Sequence, residues 1–179
     1  MAVMSMKLST VSFLFLLTAL PTCVYGDGAA IQAATQEVTN SAIKFNETVA
    51  GFDGNILEVL GILGRSTDLL VDIKQGTSTA KRSANLTDAE ALALAGPTQT
   101  LVTTVQSTLD TVIRKKPVFR KTLTQVVALA NLKAEKAASD TFGKAVVAKI
   151  PPGLQPIAAN LLAPLDPAFD RAIKAFEDF

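Results

Sequence analysis

From Ile31 onwards, the apolar residues of this chain recur at alternating spacings of three and four, which is the period of one face of an α-helix. The first stripe runs to Phe52, where Asp53-Gly54 indicates a turn, and a second continues to about residue 82. No window shows the strict alternation of apolar and polar residues that predicts a β-strand. Such a chain buries its apolar side chains by packing helices against one another. We therefore predict an all-α fold, an antiparallel bundle of about five helices.

The remaining helices are predicted from caps and prolines. Thr87 and Glu90 have the spacing of a capping box, which predicts the start of a third helix. Pro97 predicts a kink or a fresh start within it, and the basic run before Pro117 predicts its end. A fourth helix is predicted from there to the Pro-Pro-Gly turn at 151–153. Two shorter helical pieces complete the chain.

The N-terminal segment has the layout of a secretory signal peptide. Lys7 supplies one positive charge, residues 8–20 are mostly apolar, and a cleavage point follows Gly26. The apolar stretch is shorter than the ~20 residues that a membrane-spanning helix needs. We therefore predict a signal peptide at residues 1–26 and one exported helical-bundle domain at 27–179. This domain is expected to have no transmembrane segment and to be secreted or extracellular.

The predicted mature chain contains no Cys, His, Met, Trp or Tyr. Without His and Cys it has no Ser-His-Asp triad, no thiolate nucleophile, no disulfide and no imidazole or thiolate metal ligand. Two carboxylates could still hydrolyse a glycoside, but the Trp and Tyr platforms that hold sugars are missing. We therefore predict a protein that is not an enzyme and that holds no metal and no cofactor. Without disulfides, its stability must come from burial of the core.

The charge balance argues against one class of partner, and two sequons predict glycosylation. The chain has 17 basic and 16 acidic residues, and loss of Lys7 with the signal peptide leaves equal numbers. This balance argues against nucleic acid, which is held chiefly by cationic surface. The triplets Asn46-Glu47-Thr48 and Asn85-Leu86-Thr87 predict N-glycosylation at Asn46 and Asn85, which requires both side chains to face solvent.

The order of several segments resembles one known family. These segments are FDGNI, GTSTAKRSANLT, ALALAGPTQTL, KKPVF, AKIPPGL and DPAFDRAIKAFED. Together they resemble the fungal hydrophobic surface-binding protein A family, which includes antigenic cell-wall galactomannoproteins. The resemblance covers the chain from about Ile31 to Asp178 and depends on order and spacing. It implies a secreted or cell-wall-associated, glycosylated helical bundle that binds hydrophobic surfaces or lipids such as fatty acids.

The residues themselves suggest how such a bundle would bind a lipid. Small side chains in the predicted fourth helix leave space for an elongated cavity: Ala128, Ala130, Ala134, Ala137, Ala138, Gly143 and Ala145. An acyl chain in that cavity would gain about 0.8 kcal/mol per buried CH₂. The same residues also fit a fully packed core, and the resemblance favours the cavity. The candidate lipid-binding residues are the large apolar positions around it: Phe52, Leu60, Leu63, Leu101, Val105, Phe119, Leu123, Phe142 and Val146.

Two other functions are compatible with the sequence. A surfactant-like adhesion protein would use an exposed apolar face and take no discrete ligand. A helical inhibitor of a secreted hydrolase would use its surface instead, although such inhibitors usually depend on disulfides. A basic cluster around Pro117 fits either contact with lipid headgroups or a solvated turn; it comprises Arg114, Lys115, Lys116, Arg120 and Lys121.

Overall fold

The computed structural model describes residues 27–177, and the signal peptide predicted at 1–26 lies outside the described residues. The described part forms seven α-helices and no β-strand, which confirms the all-α prediction. The helices are α1 (Gly28–Gly51), α2 (Ile56–Arg82), α3 (Asp88–Ala93), α4 (Ala95–Lys121), α5 (Gln125–Val147), α6 (Gln155–Leu162) and α7 (Leu165–Glu177). Five of them are long and form the bundle, whereas α3 and α6 have only 6 and 8 residues.

The turn between α1 and α2 lies where the sequence predicts it. Gly54 has a φ of 109°, a left-handed backbone conformation that residues with a Cβ rarely adopt. The Asn55 side chain then accepts a hydrogen bond from the backbone N–H of Leu57 at 3.0 Å. This bond caps α2, because it satisfies one of the N–H groups that a helix leaves without a partner.

The connection from α2 to α4 also follows from local chemistry. The Thr87 side chain accepts from the Glu90 backbone N–H, and the Glu90 carboxylate accepts from the Thr87 backbone N–H at 2.9 Å, so the predicted capping box is present. Pro97 lies in the first turn of α4, where the N–H that proline lacks would have no helical partner. The chain therefore starts a fresh helix here.

The sequence predicts that the third helix ends at Pro117, and this prediction is wrong. Pro117 lies inside α4, which continues to Lys121. The break comes at Leu123, which has a φ of 58° between α4 and α5. The proline removes the donor that would bond to the Ile113 carbonyl and its ring crowds that carbonyl, yet α4 continues for about one more turn.

This displaced break changes which residues of α5 are buried. The predicted stripe placed Ala130, Ala134 and Ala137 towards the core, but all three are exposed. A helix that begins again at residue 125 has a new phase. Its buried residues are Gln125, Leu132, Glu135, Phe142, Ala145 and Val146.

The long helices pack in a ring, with α1 beside α2 and α4, α2 beside α5, and α7 against α4 and α5. The Thr108 hydroxyl lies 3.4 Å from the Ala42 carbonyl, and the Lys115 ammonium donates to the Phe52 carbonyl at 2.8 Å. The pair with the higher residue number in α4 also has the higher number at the α1 side, so α1 and α4 run in the same direction. The bundle therefore has two ends, which we call the turn end (residues 52–60 and 119–127) and the α6 end (residues 91–101 and 142–165).

An aromatic cluster fills the core at the turn end. The ring centroids of Phe52 and Phe119 lie 5.0 Å apart, and those of Phe119 and Phe176 lie 5.7 Å apart in an edge-on arrangement. Phe52 and Phe176 have no exposed surface, and Phe119 is 3% exposed. The helices α4 and α7 and the α1–α2 turn are thus joined by tightly packed rings.

Candidate functional site

A large apolar cavity, which we call the principal cavity, opens at the α6 end. Its free space is about 860 Å³ when the part open to solvent is counted, and about 80 Å³ of it admits the centre of a water molecule. The smaller volume is the one comparable with ligand pockets, which typically measure about 300–1,000 Å³, so a lipid could enter only if the cavity widened. None of the lining residues is charged; they are Thr35, Val38, Ile73, Ala91, Leu92, Leu94, Ala95, Thr98, Leu101, Val105, Ser139, Phe142, Gly143, Val146, Val147, Ile150, Leu154, Ile157, Ala158, Leu161, Leu162 and Leu165.

The short helix α6 forms one wall of this cavity. Its N-terminal turn is held by a hydrogen bond from the Gln155 side chain to the Ile150 carbonyl at 2.9 Å. No residue of α6 is fully buried, and Ile157 is 58% exposed although it lines the cavity. Leu92, which also lines the cavity, is 62% exposed. The cavity wall is therefore a lightly packed helix with apolar side chains at its rim.

Two glycines allow close packing around the cavity. A Cβ on Gly76 would lie 3.1 Å from the ring of Phe142, and a Cβ on Gly143 would lie 3.1 Å from a methyl group of Leu162. Both distances are tighter than ordinary van der Waals contact. These glycines let the Phe142 ring approach α2 and let α6 approach α5.

Two smaller cavities continue the apolar interior towards the turn end. The middle cavity, with about 340 Å³ of free space, shares Val38, Ile73, Val105 and Ser139 with the principal cavity. The inner cavity, with about 390 Å³, shares Glu135 with the middle one. Both volumes include space open to solvent. The three cavities thus form a series along the bundle.

Among residues 27–177, Glu135 is the only titratable residue lining these cavities, whose other lining residues are apolar or carry hydroxyl groups, apart from the amide of Asn131. It is 3% exposed, and its Oε1 accepts a hydrogen bond of 2.7 Å from the Ser66 hydroxyl. Burial raises the pKa of this carboxyl to about 7, and the hydrogen bond from Ser66 opposes that rise. Loss of hydration disfavours the ionised form, so the group is largely neutral below pH 7.

The structure divides the predicted lipid-binding residues between these cavities. Four of them line the principal cavity: Leu101, Val105, Phe142 and Val146. Leu63 and Phe119 line the inner cavity. Phe52 is fully buried against Phe119. These positions belong to the interior of the bundle, and their contact with a lipid remains a prediction.

Leu60 and Leu123 do not belong to the core, so their prediction as core positions is wrong. Leu60 is 67% exposed because the buried face of α2 passes through Val59 and Ile62, which places residue 60 on its flank. Leu123 is 88% exposed because it occupies the turn between α4 and α5. The predicted stripe treated this turn as continuous helix.

Sequence reasoning missed two important parts of the site. The α6 wall was signalled by apolar residues on one face of a short helix, namely Ile157, Ala158, Leu161 and Leu162. Glu135 was signalled by its spacing from buried Leu132 and Phe142, which places it on the same helix face. This spacing can be recognised only when the start of α5, and therefore its buried face, is known.

The two sequons lie in different environments. Asn85 is exposed in the segment between α2 and α3. Asn46 lies within α1 and is half-buried, and its side-chain Oδ1 is buried with no hydrogen-bond partner among the described residues. An asparagine that carries a glycan must face solvent. Asn85 does so, whereas Asn46 does so only in part. Glycosylation at both positions remains a prediction.

The turn end has a different kind of surface. Six large apolar side chains are exposed there and form what we call the turn-end apolar cluster: Ile56, Leu57, Leu60, Leu123, Val126 and Val127. The predicted basic cluster lies at the same end, where Arg114, Arg120 and Lys121 are exposed. Lys115 instead donates to the Phe52 carbonyl.

The described residues hold neither a metal cluster nor a membrane-spanning helix. In residues 27–177, no group of three or more His, Cys, Asp or Glu side chains could hold a metal ion. Over the same range, no helix combines the length and the apolar character needed to cross a bilayer.

Two curated fungal proteins are similar in sequence. The chain is 30% identical to cell wall mannoprotein 1 of Aspergillus fumigatus over 160 residues, which covers 89% of this chain and 55% of that protein. It is 31% identical to cell wall mannoprotein 1 of Aspergillus flavus over 113 residues, which covers 63% of this chain and 41% of that protein. The chain therefore spans about half the length of the curated relatives it matches.

Solved structures share the fold. AfMp4p in complex with palmitic acid has a TM-score of 0.81 at 22% identity, covering 83% of this chain and 99% of that one. Ligand-binding domain 2 of the Penicillium marneffei MP1 protein, complexed with multiple arachidonic acids, has a TM-score of 0.82 at 24% identity, covering 87% and 99%. Identities this low show a common fold alone.

A match to a family model shows which family this chain belongs to. A model of the family described as hydrophobic surface binding protein A matches residues 28–148, which is more than half of the chain. This segment includes α1 to α5. The family that the order of sequence segments resembles is thereby confirmed, and this chain belongs to the hydrophobic surface binding protein A family.

Proposed function

We propose that this protein binds a long-chain fatty acid or a related single-chain lipid in the principal cavity and is not an enzyme. The observation that carries the proposal is a cavity lined by apolar and hydroxyl side chains, without one charged group, at the α6 end. Support comes from structures of the same fold that hold palmitic and arachidonic acids. The absence of His and Cys from residues 27–179 supports binding rather than catalysis.

The free energy of binding depends on how much of the acyl chain is buried. Burying about ten methylenes contributes about 8 kcal/mol, since each CH₂ contributes about 0.8 kcal/mol. Ordering the ligand and the protein offsets part of this gain. Only about 80 Å³ of the cavity admits a water centre, so the walls must separate when a chain enters. We propose that α6 moves, because no residue of this helix is fully buried.

We also propose that the protein acts outside the cell, as one exported domain comprising residues 27–179. The signal-peptide pattern, the exposed Asn85 sequon and two relatives named cell wall mannoproteins support this location. Association with the cell wall is part of the same proposal.

The test is calorimetric titration of delipidated protein with palmitic acid. The informative variant is Ala158→Phe, because Ala158 lies on α6 and lines the cavity, so a phenyl ring there occupies the space of the ligand. The matched control is Ala159→Phe, because Ala159 is the next residue of α6, is exposed and does not line the cavity.

We expect binding to wild type and to Ala159→Phe, and binding about tenfold weaker or absent for Ala158→Phe. Absence of heat with wild type over a range of chain lengths would remove the proposal. Equal affinity of the two variants would place the ligand elsewhere.

Surface adhesion is a second candidate function, favoured by the turn-end apolar cluster. Leu57, Leu60 and Leu123 are 70%, 67% and 88% exposed. A cluster of this kind fits adsorption to an apolar surface with adjacent cations facing water. Adsorption of this type should persist after the principal cavity has been loaded with palmitic acid. If loading abolished adsorption, both functions would depend on the same site.

A further inference from the structure

Glu135 lies in the interior of the bundle, beyond the principal cavity, and the proposed lipid-binding function does not yet involve it. Its carboxyl group is 3% exposed and lines both the middle and the inner cavity. Among the described residues, only the Ser66 hydroxyl forms a hydrogen bond with it, and that bond goes to Oε1. A buried carboxyl is costly unless hydrogen bonds or a ligand satisfy it.

The described surroundings of Glu135 contain no compensating charge. Residues from α1, α2, α4, α5 and α7 line the middle and inner cavities beside it, and Glu135 is the only titratable residue among these described linings. The neighbouring helices present groups such as Phe45, Ile62, Thr108 and Phe169. An ion pair therefore does not explain why a glutamate is buried here.

The position of Glu135 connects it to the principal cavity. Ser139 lies one helical turn further along α5 and lines both the principal and the middle cavity. Phe142 and Val146 continue the same face into the principal cavity. The rise along α5 from Glu135 to Val146 is about 16 Å, which is comparable with the length of a long acyl chain. The carboxyl therefore lies at the point where the middle and inner cavities meet, about one acyl-chain length from the far side of the principal cavity.

We propose that Glu135 and Ser66 form a headgroup site inside the bundle that accepts a lipid with a neutral O–H donor, such as a fatty alcohol, and accepts a carboxylate only together with a proton. The proposal rests on the proposed function, because the acyl chain must occupy the cavities that lead to Glu135. It adds the chemistry of the polar end and a dependence of the preferred ligand on pH.

The preference follows from the hydrogen-bond donors and acceptors that each headgroup brings to Glu135. A hydroxyl headgroup donates to Oε2 of Glu135 whether the carboxyl is neutral or ionised. A fatty acid is ionised in water near neutral pH and brings only acceptors. It can then bind only if neutral Glu135 donates its proton, because two carboxylates in an apolar interior repel one another. Binding of the alcohol should therefore be independent of pH, and binding of the acid should weaken as Glu135 ionises.

The experiment compares dodecanol with dodecanoate, titrated into delipidated protein at pH 6 and pH 8. Since the pKa of Glu135 is about 7, its neutral fraction falls about tenfold over this range. We expect the affinity for dodecanoate to fall about tenfold and the affinity for dodecanol to change by less than about twofold. The calorimeter should also record uptake of one proton on binding of dodecanoate at pH 8.

Three variants sharpen the comparison. Glu135→Gln keeps an acceptor and gains a permanent N–H donor, so its affinity for dodecanoate should be the same at both pH values. Glu37→Gln, at an exposed position of α1, is the matched control and should keep the wild-type change. Ser66→Ala removes the bond that stabilises the ionised form, so the midpoint of the pH profile should move upwards. Thermal unfolding of each variant confirms that it is folded before titration.

The outcomes separate this inference from the proposed function. If both lipids bind wild type with no change between pH 6 and pH 8, the lipid-binding function stands and the headgroup site is wrong. The headgroup site is equally wrong if Glu135→Gln retains the tenfold fall. If neither lipid binds at either pH, both proposals are overturned.

Discussion

The two ends of the bundle treat apolar surface in opposite ways. At the α6 end, apolar side chains surround a cavity, and the helix that covers it has no fully buried residue. At the turn end, three phenylalanine rings fill the core, and six large apolar side chains face outwards. One end has a lightly packed cavity wall, and the other combines a packed aromatic cluster with an apolar exterior.

The difference matches the two proposed functions, one at each end of the bundle. A concave end suits a single molecule, because it can enclose the chain. Exposed apolar side chains suit an extended surface, because they can adsorb without any opening of the bundle. Glu135 lies between them, at the junction of the middle and inner cavities. If the two ends are independent, substitutions at one end should leave the properties of the other unchanged.

The largest effect is expected from Phe119→Ala at the turn end. Phe119 is 3% exposed and contacts both Phe52 and Phe176, so its removal leaves a cavity among three elements. We expect the free energy of unfolding to fall by about 3–5 kcal/mol, measured by denaturant unfolding. Leu162→Ala on the half-buried α6 wall is the comparison and should cost about 1 kcal/mol. Equal losses would show that the ends are packed alike.

The next effect concerns the pH dependence of stability at the junction. The pKa of Glu135 rises from the ordinary 4.5 to about 7 on folding, so the folded state holds this proton more tightly than the unfolded state. Stability therefore falls as pH rises from about 4.5 to 7, by about 3 kcal/mol in total, and this contribution is constant above that range. Glu135→Gln should remove this decline relative to wild type in unfolding measured at pH 5 and pH 7.5. An identical decline in both proteins would assign it to other groups.

A third, slightly smaller effect concerns ligand-induced protection. Palmitic acid at about 100 times its dissociation constant should stabilise the protein by about 2.7 kcal/mol. Hydrogen exchange should slow most in α6, since this helix has few buried contacts before the ligand arrives. Exchange in residues 119–127 should change little. Protection that is strongest at the turn end would move the lipid site there.

The smallest effect on stability is expected from Leu57→Ser combined with Val126→Ser. Both side chains are exposed, at 70% and 62%, so the free energy of unfolding should change by only about 0.5 kcal/mol. Adsorption to polystyrene beads should nevertheless fall, and the affinity for palmitic acid should not change. Val71→Ser, an exposed substitution in the middle of α2, is the matched control. A loss of palmitic acid binding in the double variant would show that the ends are coupled.

The fold was predictable because most of its signals are local. The apolar spacing, the turn at Gly54 and the capping box at Thr87 each act within a few residues, and the structure contains all three. Pro97 likewise lies where a new helix tolerates it. The break at Leu123 was not predictable from Pro117, because α4 continues through the proline for about one more turn before it ends.

The candidate site was predictable only in part, because it depends on phase and on tertiary packing. Leu101, Val105, Phe142 and Val146 lie around the principal cavity, since each is on the inward face of its own helix. Leu123 was misplaced because it lies in the turn between α4 and α5, which was predicted from the sequence as continuous helix. Glu135 was missed for a different reason: a glutamate in an alanine-rich helix normally faces water, and its burial depends on the neighbours that the fold brings together.

Leu123 costs the protein stability in two ways when it is dissolved in water. Its φ of 58° is a conformation that glycine or asparagine would adopt with less strain, and its side chain is 88% exposed. Replacement by asparagine would suit both the backbone and the solvent. A leucine at this point would gain free energy if an apolar surface covered it, which is what the proposed surface adhesion requires of this turn.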